Sequence, residues 1–297
     1  MKVLVALDFS SDSEKVLLNV RATPWPAGTA IRLLHVIDLA PFPPGLLVIE
    51  DAKQAANEAI GVAARKLGAP GIAVDTEILV GTPRAAIRNY AENWGADLII
   101  VGSRGHGSFA RLLLGSVAQA IVRSARCAVQ VVRPEPSTSG RACMTILLAT
   151  DGSECSATAI RWIVNHLPRP AGSIFRVASV IPAVFPVVDA SSTYLRPDQL
   201  ADEVKILEEQ GRVRASEAIA RARLILNELG VQEVEVAETL CDDPRAAIVD
   251  EARRSNSNLV VLGSHGWHGL DRLLMGSVSE YVAVHAPCSV MVVPPPK

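Results

Sequence analysis

The sequence repeats itself over nearly its full length, and this duplication limits the chain to two domains of one kind. Its 297 residues suit two domains of ordinary size. Apolar runs, a proline-marked helix start and a glycine loop return in the same order in the second half. A period this long indicates duplication of a whole domain and not a short solenoid repeat. We expect one domain at 1–134, a Pro- and Ser-rich linker at 135–142 and a second domain at 143–297.

Within each half, segments typical of strands alternate with segments typical of helices. In the first half, short apolar runs predict strands near residues 3–7, 31–37, 72–80, 98–101 and 128–132, with helices between them. This alternation predicts an α/β fold with two tandem doubly wound domains. Each should be a Rossmann-like, mainly parallel five-stranded sheet with helices on both faces. Ligands of such sheets bind at the carboxyl ends of the strands.

The last strand of each half is apolar although it should stand at the edge of a sheet. These strands are Ala128–Val132 and Ser289–Val293. An uncovered apolar edge invites pairing with another strand. A duplicated chain can satisfy that edge internally, with the twofold geometry of a dimer. We therefore expect an internal pseudo-dimer of the two domains joined through these strands, and we leave open a homodimer of the whole chain.

A glycine-rich pattern follows the fourth apolar run of each half. The first copy reads Gly102-Ser103-Arg104-Gly105, nine residues, then Gly115-Ser116-Val117, and the second reads Gly263-Ser264-His265-Gly266, nine residues, then Gly276-Ser277-Val278. Many single glycine loops are only tight turns, but two copies with the same spacing indicate a functional loop. Glycine lets the backbone approach a ligand closely, and the helix start that follows offers unpaired N–H groups to phosphate. The serine after the last glycine can cap that helix or donate to a phosphate oxygen.

An aspartate follows the first strand of each half, as Asp8 and Asp151. Because parallel strands end at the same edge of a sheet, each aspartate should stand near its own glycine loop. A carboxylate there can bond a ribose or a base, or help to hold a phosphate-bound metal ion. The alternative role is capping of the helix that follows.

The aspartates and glycine loops together resemble the nucleotide-binding signature of the universal stress protein family, and the resemblance covers nearly the whole chain, twice. It implies a fold similar to that of the adenine nucleotide alpha hydrolases, with one potential ATP site per half and Mg²⁺ held through the phosphates. In that family the aspartate belongs to the nucleotide pocket. The end of the second strand there contacts adenine through its backbone, which implies Val36 and Val180 in this chain.

The two copies differ within the implied site. The second copy has the family's usual pattern as Asp151-Gly152-Ser153, whereas the first has Phe9 in place of the glycine. Phenylalanine adds bulk where the backbone turns, so we expect an altered first pocket. Arg104 of the first loop is a permanent charge and a bidentate donor, while its counterpart His265 is charged only in part at neutral pH. These effects oppose each other, and the order of affinity of the two sites stays open.

The copies also differ in length between the first strand and the third helix. Asp8 and Pro83 are 75 residues apart, whereas Asp151 and Pro244 are 93 apart. The extra residues fall around 182–211, where the sequence predicts a longer loop at 182–197 followed by a longer helical segment at 198–229. Such an insertion over a sheet can be a lid or a partner surface, and the alternative is a neutral extension of the surface.

Composition argues against two classes of partner. Residues 1–140 carry 14 basic and 12 acidic side chains, and residues 141–297 carry 15 and 19, so neither half has the basic excess of a nucleic-acid binder. No apolar run approaches the length of a membrane span, and no leader precedes the first strand. The five cysteines are scattered and lack metal-binding spacing, which is typical of reduced thiols in a cytoplasm.

The sequence predicts no catalytic residue. His265 and His268 are three apart, but no paired carboxylate or cysteine accompanies them, which argues against zinc; His35 and His166 are expected to pack or to lie at the surface. A Walker lysine and a Gly-x-Ser-x-Gly elbow are both missing, so hydrolysis of ATP should be slow at most.

The resulting hypothesis is an ATP-dependent sensor or switch in a stress response, acting on a regulatory protein partner that the sequence does not identify. One alternative is an interaction protein of the same fold that binds no nucleotide. The other is an enzyme, such as a nucleotide hydrolase or an adenylate-forming relative.

Overall fold

The duplication builds one continuous sheet. The computed structural model describes residues 1–38, 40, 49–68, 72–105, 114–134, 143–167, 170, 172–182, 197–231, 234–241, 243–266 and 275–295. Within these ranges the strands are β1 Lys2–Ala6, β2 Ala30–Ile37, β3 Ala73–Val80, β4 Leu98–Gly102, β5 Ala128–Val132, β6 Thr145–Ala149, β7 Ile174–Pro182, β8 Val234–Cys241, β9 Leu259–Gly263 and β10 Ser289–Val293. The strand order across the sheet is β3-β2-β1-β4-β5-β10-β9-β6-β7-β8. The predicted α/β fold, with a mainly parallel sheet, is confirmed.

Helices cover both faces of the sheet. They are α1 Ser11–Ala22, α2 Ile49–Leu67, α3 Pro83–Trp94, α4 Ser116–Ser124, α5 Glu154–His166, α6 Pro197–Glu228, α7 Pro244–Arg254 and α8 Ser277–His285. One apolar core joins α1, α2, α5 and α6 to one face, and a second core joins the remaining four to the other. Alternate strand residues point into opposite cores, as Val3 and Leu4 of β1 do. None of the helices described is long and apolar enough to cross a membrane.

The central strands are buried on both faces, which explains why they appear in the sequence as unbroken apolar runs. In β4, Leu98, Ile99 and Ile100 are fully enclosed. Strands covered by helices on both sides need apolar residues at successive positions, because every side chain faces a core. The apolar runs therefore predicted the strands within one or two residues, as for β1, which begins and ends one residue before the expected 3–7.

The two halves join through their last strands, as predicted from the apolar edges. β5 and β10 pair antiparallel, with Gln130 opposite Met291 and Val131 opposite Val290. Gln130 and Met291 hold the same position in their own strands, so a pseudo-twofold axis passes between them. Above this seam α4 contacts α8, where Gln119 donates a hydrogen bond of 3.2 Å to Glu280. The seam buries both edges that would otherwise attract another chain.

One buried arginine also connects the halves. The guanidinium of Arg133, which follows β5, donates to the backbone oxygens of Ala283, Val284 and Ala286 at the end of α8. These carbonyls have no partner within the helix, so a cation there satisfies them and complements the helix dipole. Burial, with a smaller contribution from the positive charge of Arg104, lowers the pKa of Arg133 to about 10. The guanidinium is therefore charged at neutral pH.

The length difference between the halves lies mainly in α6, which has 32 residues against 19 in α2. Its bounds agree with the long helical segment expected near 198–229. The loop predicted between Pro182 and this helix falls at 183–196 and lies outside the described residues, as does the predicted linker at 135–142.

Candidate functional site

The structure brings each aspartate against its glycine loop. A Cβ added at Gly105 would lie 2.3 Å from Asp8 Oδ2, and one added at Gly266 would lie 2.7 Å from Asp151 Oδ2. Atoms cannot approach this closely without overlap, so any other residue at these positions would push the carboxylate out of its observed place. The strand ends β1 and β4 are neighbours in the sheet, which is why residues far apart in sequence meet here.

The carboxylate also holds the turn that leads into the first helix of each half. Asp8 Oδ1 accepts hydrogen bonds from Ser10 N at 3.0 Å, Ser10 Oγ at 2.6 Å and Ser13 Oγ at 2.8 Å. Asp151 Oδ1 accepts from Ser153 N at 3.0 Å. One oxygen thus fixes the turn while the other faces the glycine loop. The two roles considered for this aspartate, site residue and helix-start residue, are therefore geometrically compatible.

Three serines at helix starts make no side-chain cap bond, and for Ser116 and Ser277 this excludes one of the two roles considered above. Ser10 is the N-cap of α1 but its side chain makes no cap bond, because its hydroxyl donates to Asp8 instead. Ser116 is the first residue of α4, so Gly115 occupies the N-cap position, and this glycine has no side chain to bond the first turn. The same holds for Gly276 and Ser277 at α8. Both helices therefore start without a side-chain cap on the N–H groups of their first turn.

A backbone hydrogen bond closes each glycine loop. Gly115 N donates to Ser103 O at 2.7 Å, and Gly276 N donates to Ser264 O at 2.8 Å. Each bond brings the end of a strand against the start of the next helix. The first-turn N–H groups and the positive end of the helix dipole are thereby placed beside the aspartate, in an arrangement suited to an anion.

A cavity of about 820 Å³ opens at this point in the first half. Its volume suits a small molecule of nucleotide size. All eight residues that the sequence singled out in this half line it, namely Asp8, Val36, Gly102, Arg104, Gly105, Gly115, Ser116 and Val117. The glycine loop, Arg104 and the end of β2 all contribute to this lining.

Sequence reasoning missed a further group of cavity residues. They include Phe9, His35, Ser13 and the α2 residues Ala52, Ala55, Ala56 and Ala59. The alanine spacing was visible as a helical pattern, but small residues on a helix also suit core packing. His35, expected to pack or to lie at the surface, lines the cavity. The alanines leave space beside the helix, which is the property that a cavity needs.

Phe9 adopts a backbone conformation that bulky residues rarely take. Its φ is +62°, in the left-handed region, and Gly152 at the same turn of the second half has φ +79°. The Phe9 ring stacks on His35 with centroids 4.5 Å apart. His35 Nδ1 in turn donates to Leu7 O at 2.8 Å, which fixes the imidazole. Phe9 therefore keeps the turn of its glycine counterpart and adds a fixed aromatic ring beside the cavity.

The second half presents the same turn and loop with different neighbours. Arg221 of α6 donates to Gly152 O at 2.7 Å and forms an ion pair with Glu154. In the loop, the hydroxyl of Ser264 hydrogen-bonds His265 Nδ1 at 2.7 Å, and His265 Nε2 is buried without a partner among the described residues. Val180 lies in β7, two residues before the strand ends. His268 lies outside the described residues, so the structure describes no contact between the two histidines.

Comparison with known proteins gives consistent matches over both halves. The profile of the universal stress protein family matches residues 1–133 and 143–294. A universal stress protein of Mycobacterium tuberculosis is 28% identical over 315 residues, covering 96% of this chain and 93% of the relative. One from Methanocaldococcus jannaschii is 33% identical over 133 residues, covering 42% of this chain and 76% of the relative.

Among solved structures, a universal stress protein from Archaeoglobus fulgidus has the same fold. It superposes with a TM-score of 0.65 at 22% identity, covering 98% of this chain and 95% of its own. A protein of unknown function from Pseudomonas aeruginosa superposes with a TM-score of 0.57 at 16% identity, covering 99% and 92%.

Proposed function

Because this chain belongs to the universal stress protein family, with two such domains in tandem, we propose that it binds ATP and acts as a nucleotide-dependent regulator. Each half has one potential site, and Mg²⁺ would be held through the phosphates. The domains are proposed at 1–134 and 143–297. The site residues are proposed as predicted: Asp8, Val36, Gly102, Arg104, Gly105, Gly115, Ser116 and Val117 in one half, and Asp151, Val180, Gly263, His265, Gly266, Gly276, Ser277 and Val278 in the other.

The cavity of the first half is the observation that carries this proposal. Its lining combines a helix N-terminus, a glycine loop and the Arg104 guanidinium, all of which favour phosphate. Asp8 lines the cavity beside the glycine loop, where a ribose hydroxyl would donate to its carboxylate. Val36 also lines the cavity, where its backbone would bond adenine. The phosphates, the ribose and the adenine of ATP would thus each have suitable residues in one cavity.

A regulatory role is favoured over fast catalysis by the composition of the loop. The proposed phosphate end supplies an arginine and backbone N–H groups but no lysine of the Walker type. Bound ATP would then stabilise one conformation for a regulatory protein partner, with slow hydrolysis at most. The scattered spacing of the five cysteines is typical of reduced thiols, and we place the protein in the cytoplasm on that ground.

The test is nucleotide stoichiometry in matched variants of the two loops. Gly115→Asp and Gly276→Asp each add a negative charge where the phosphates would lie, and each should empty its own site while sparing the other. Isothermal titration with ATP and Mg²⁺ measures the number of sites, and circular dichroism checks the fold. A folded double variant that still binds ATP with the wild-type stoichiometry would refute the proposal.

Two further measurements separate the alternative functions. Mass spectrometry of small molecules released from the denatured protein should find ATP, which would exclude an interaction protein that binds no nucleotide. Multiple-turnover phosphate release, abolished by Gly115→Asp, would instead favour a nucleotide hydrolase.

A further inference from the structure

The helices that flank the two candidate sites match residue by residue. The four buried positions of α2 are Ala56, Ile60, Ala63 and Leu67, and α6 buries Ala215, Ile219, Ala222 and Leu226 at the same spacing. This register makes Ala59 the counterpart of Ala218. It also makes Val62 the counterpart of Arg221. The two helices can therefore be compared by their distance from the turn that follows the first strand of each half.

In the second half, α6 packs directly on this turn. A Cβ added at Gly152 would lie 3.1 Å from Ala218 Cβ and 3.3 Å from Ala218 Cα. Ala218 is only 3% exposed as a result. Arg221 fastens the contact, because it bonds the Gly152 carbonyl and pairs with Glu154. Any side chain larger than hydrogen at position 152 would push against the α6 backbone.

In the first half, a phenylalanine occupies that position. The Cβ of Phe9 lies on a backbone of the same left-handed form, so α2 cannot approach the turn as closely as α6 does. Ala59 is accordingly half-buried and lines the cavity, unlike the enclosed Ala218. Val62 supplies no group that could bond the turn, and its side chain is 43% exposed. The stack on His35 keeps the ring in place as a spacer.

We propose that Phe9 is a positioning residue that holds α2 away from the turn, keeps the first site open and makes it the site of higher affinity for adenine nucleotide. This inference rests on the proposed ATP function. It attributes the difference in nucleotide affinity between the two sites to one pair of equivalent residues, Phe9 and Gly152. The strained left-handed conformation of Phe9 then accompanies the open cavity, and strained backbone residues are common at binding sites.

The experiment measures the first site alone, in a Gly276→Asp background that empties the second. Phe9→Gly removes the spacer and also the backbone strain, so the fold should survive. We expect its dissociation constant for ATP to rise about tenfold or more, while Phe9→Leu, which keeps the bulk without the ring, should stay within about threefold of the parent. The Gly115→Asp variant should show a weaker second site than the first site of Gly276→Asp.

The outcomes distinguish this inference from the proposed function. If Gly276→Asp itself binds no ATP, the first site is not a nucleotide site and both proposals fail there. If it binds ATP and Phe9→Gly binds equally well, only the spacer role is refuted. If Phe9→Leu loses as much affinity as Phe9→Gly, the ring contacts the ligand and the spacer role is again refuted. Phe9→Ala keeps the Cβ that holds α2 away, so it should bind ATP within about threefold of the parent, and a tenfold loss in this variant would also refute the spacer role.

Discussion

The residue after the first-strand aspartate has a left-handed backbone conformation in both halves. Its side chain decides how closely the flanking helix, α2 or α6, can pack on this turn. Phe9 and Gly152 have φ values of +62° and +79°. Glycine adopts this region freely, whereas a side chain there costs about 1–2 kcal/mol. The two halves thus use one backbone shape with two side chains. In the first half the strained Phe9 lies beside a cavity, whereas in the second half Gly152 lets α6 contact the turn directly.

The contact at Gly152 predicts a large cost for adding one methyl group. Gly152→Ala introduces both the left-handed strain, about 1 kcal/mol, and an overlap with Ala218 worth about 1–3 kcal/mol more. Gly230→Ala is the matched control, because Gly230 has the same φ of +79° but nothing within 4 Å of its added Cβ. Urea denaturation should give the larger loss of unfolding free energy for Gly152→Ala. Equal losses would mean that α6 shifts to accommodate the methyl group.

At the scale of elements, an ion-pair network holds α6 to α5. Arg161 donates to Glu154 Oε1 at 3.0 Å, and Arg221 of α6 pairs with the other carboxylate oxygen. Hydrogen bonds from Arg161 and then Arg221 hold the pKa of Glu154 below its ordinary 4.5. The pairs are exposed to solvent, so their contribution to stability is small.

This network should make a small part of the stability depend on pH. Because the pKa of Glu154 is lowered in the folded state, its contribution is present above pH 4.5 and is lost as the pH falls through the folded value. Glu154→Gln should therefore lower the unfolding free energy at pH 7 by less than about 1 kcal/mol. Urea denaturation from pH 7 to pH 3 should show this difference shrinking toward zero. Glu228→Gln, at the exposed end of α6, is the control, and an equal pH dependence in both variants would contradict the assignment.

The central strands were predictable because they are buried on two faces, and the helices because each is buried on one. β5 and β10 were predicted with their observed bounds, and so was the pairing between them. The left-handed turn at Phe9 and its stack on His35 were not predictable, because both depend on contacts between segments distant in sequence. Capping of α4 by Ser116, one of two roles considered for it because helix starts favour serine, does not occur, since the observed N-cap is Gly115.

At the scale of the molecule, a single sheet and two shared cores tie the halves together. Both apolar cores contain residues of each half, so the seam between β5 and β10 is part of the interior. Arg133 adds a polar connection that only one half supplies, since its position in the second half is held by Pro294. We expect the two halves to unfold together.

Replacing Arg133 tests that connection. Arg133→Met removes the unfavourable burial of a charge but leaves the carbonyls at the end of α8 unpaired. We expect the free energy of unfolding to fall by about 1–3 kcal/mol. Arg126→Met is the control, because Arg126 is 73% exposed and forms only a surface pair with Glu92, so its loss should be below about 1 kcal/mol. Urea denaturation followed by tryptophan fluorescence measures both. A loss for Arg133→Met no greater than the control would show that the seam holds without it.

Binding of ATP should stabilise the whole molecule. A ligand that binds only the folded state adds RT ln(1 + [L]/Kd), about 2.7 kcal/mol at a hundredfold excess over Kd. With Mg²⁺ and millimolar ATP, the Tm of protein stripped of nucleotide should rise by on the order of 5 °C. Differential scanning calorimetry measures the shift. The Gly115→Asp, Gly276→Asp double variant should show none, and an unchanged shift in that variant would place the binding elsewhere.

The antiparallel seam between β5 and β10 also decides where the two candidate sites can be reached. Strands within a half run parallel, but the halves run in opposite directions, so the carboxyl ends of β1 and β6 emerge on opposite sides of the molecule. Five strand spacings of about 4.8 Å separate them sideways, or roughly 24 Å. One bound ligand cannot span both mouths, and a protein seated over one mouth leaves the other uncovered. Two partner proteins could therefore bind at the same time, one beside each candidate site, and each would respond to the ligand in its own site alone.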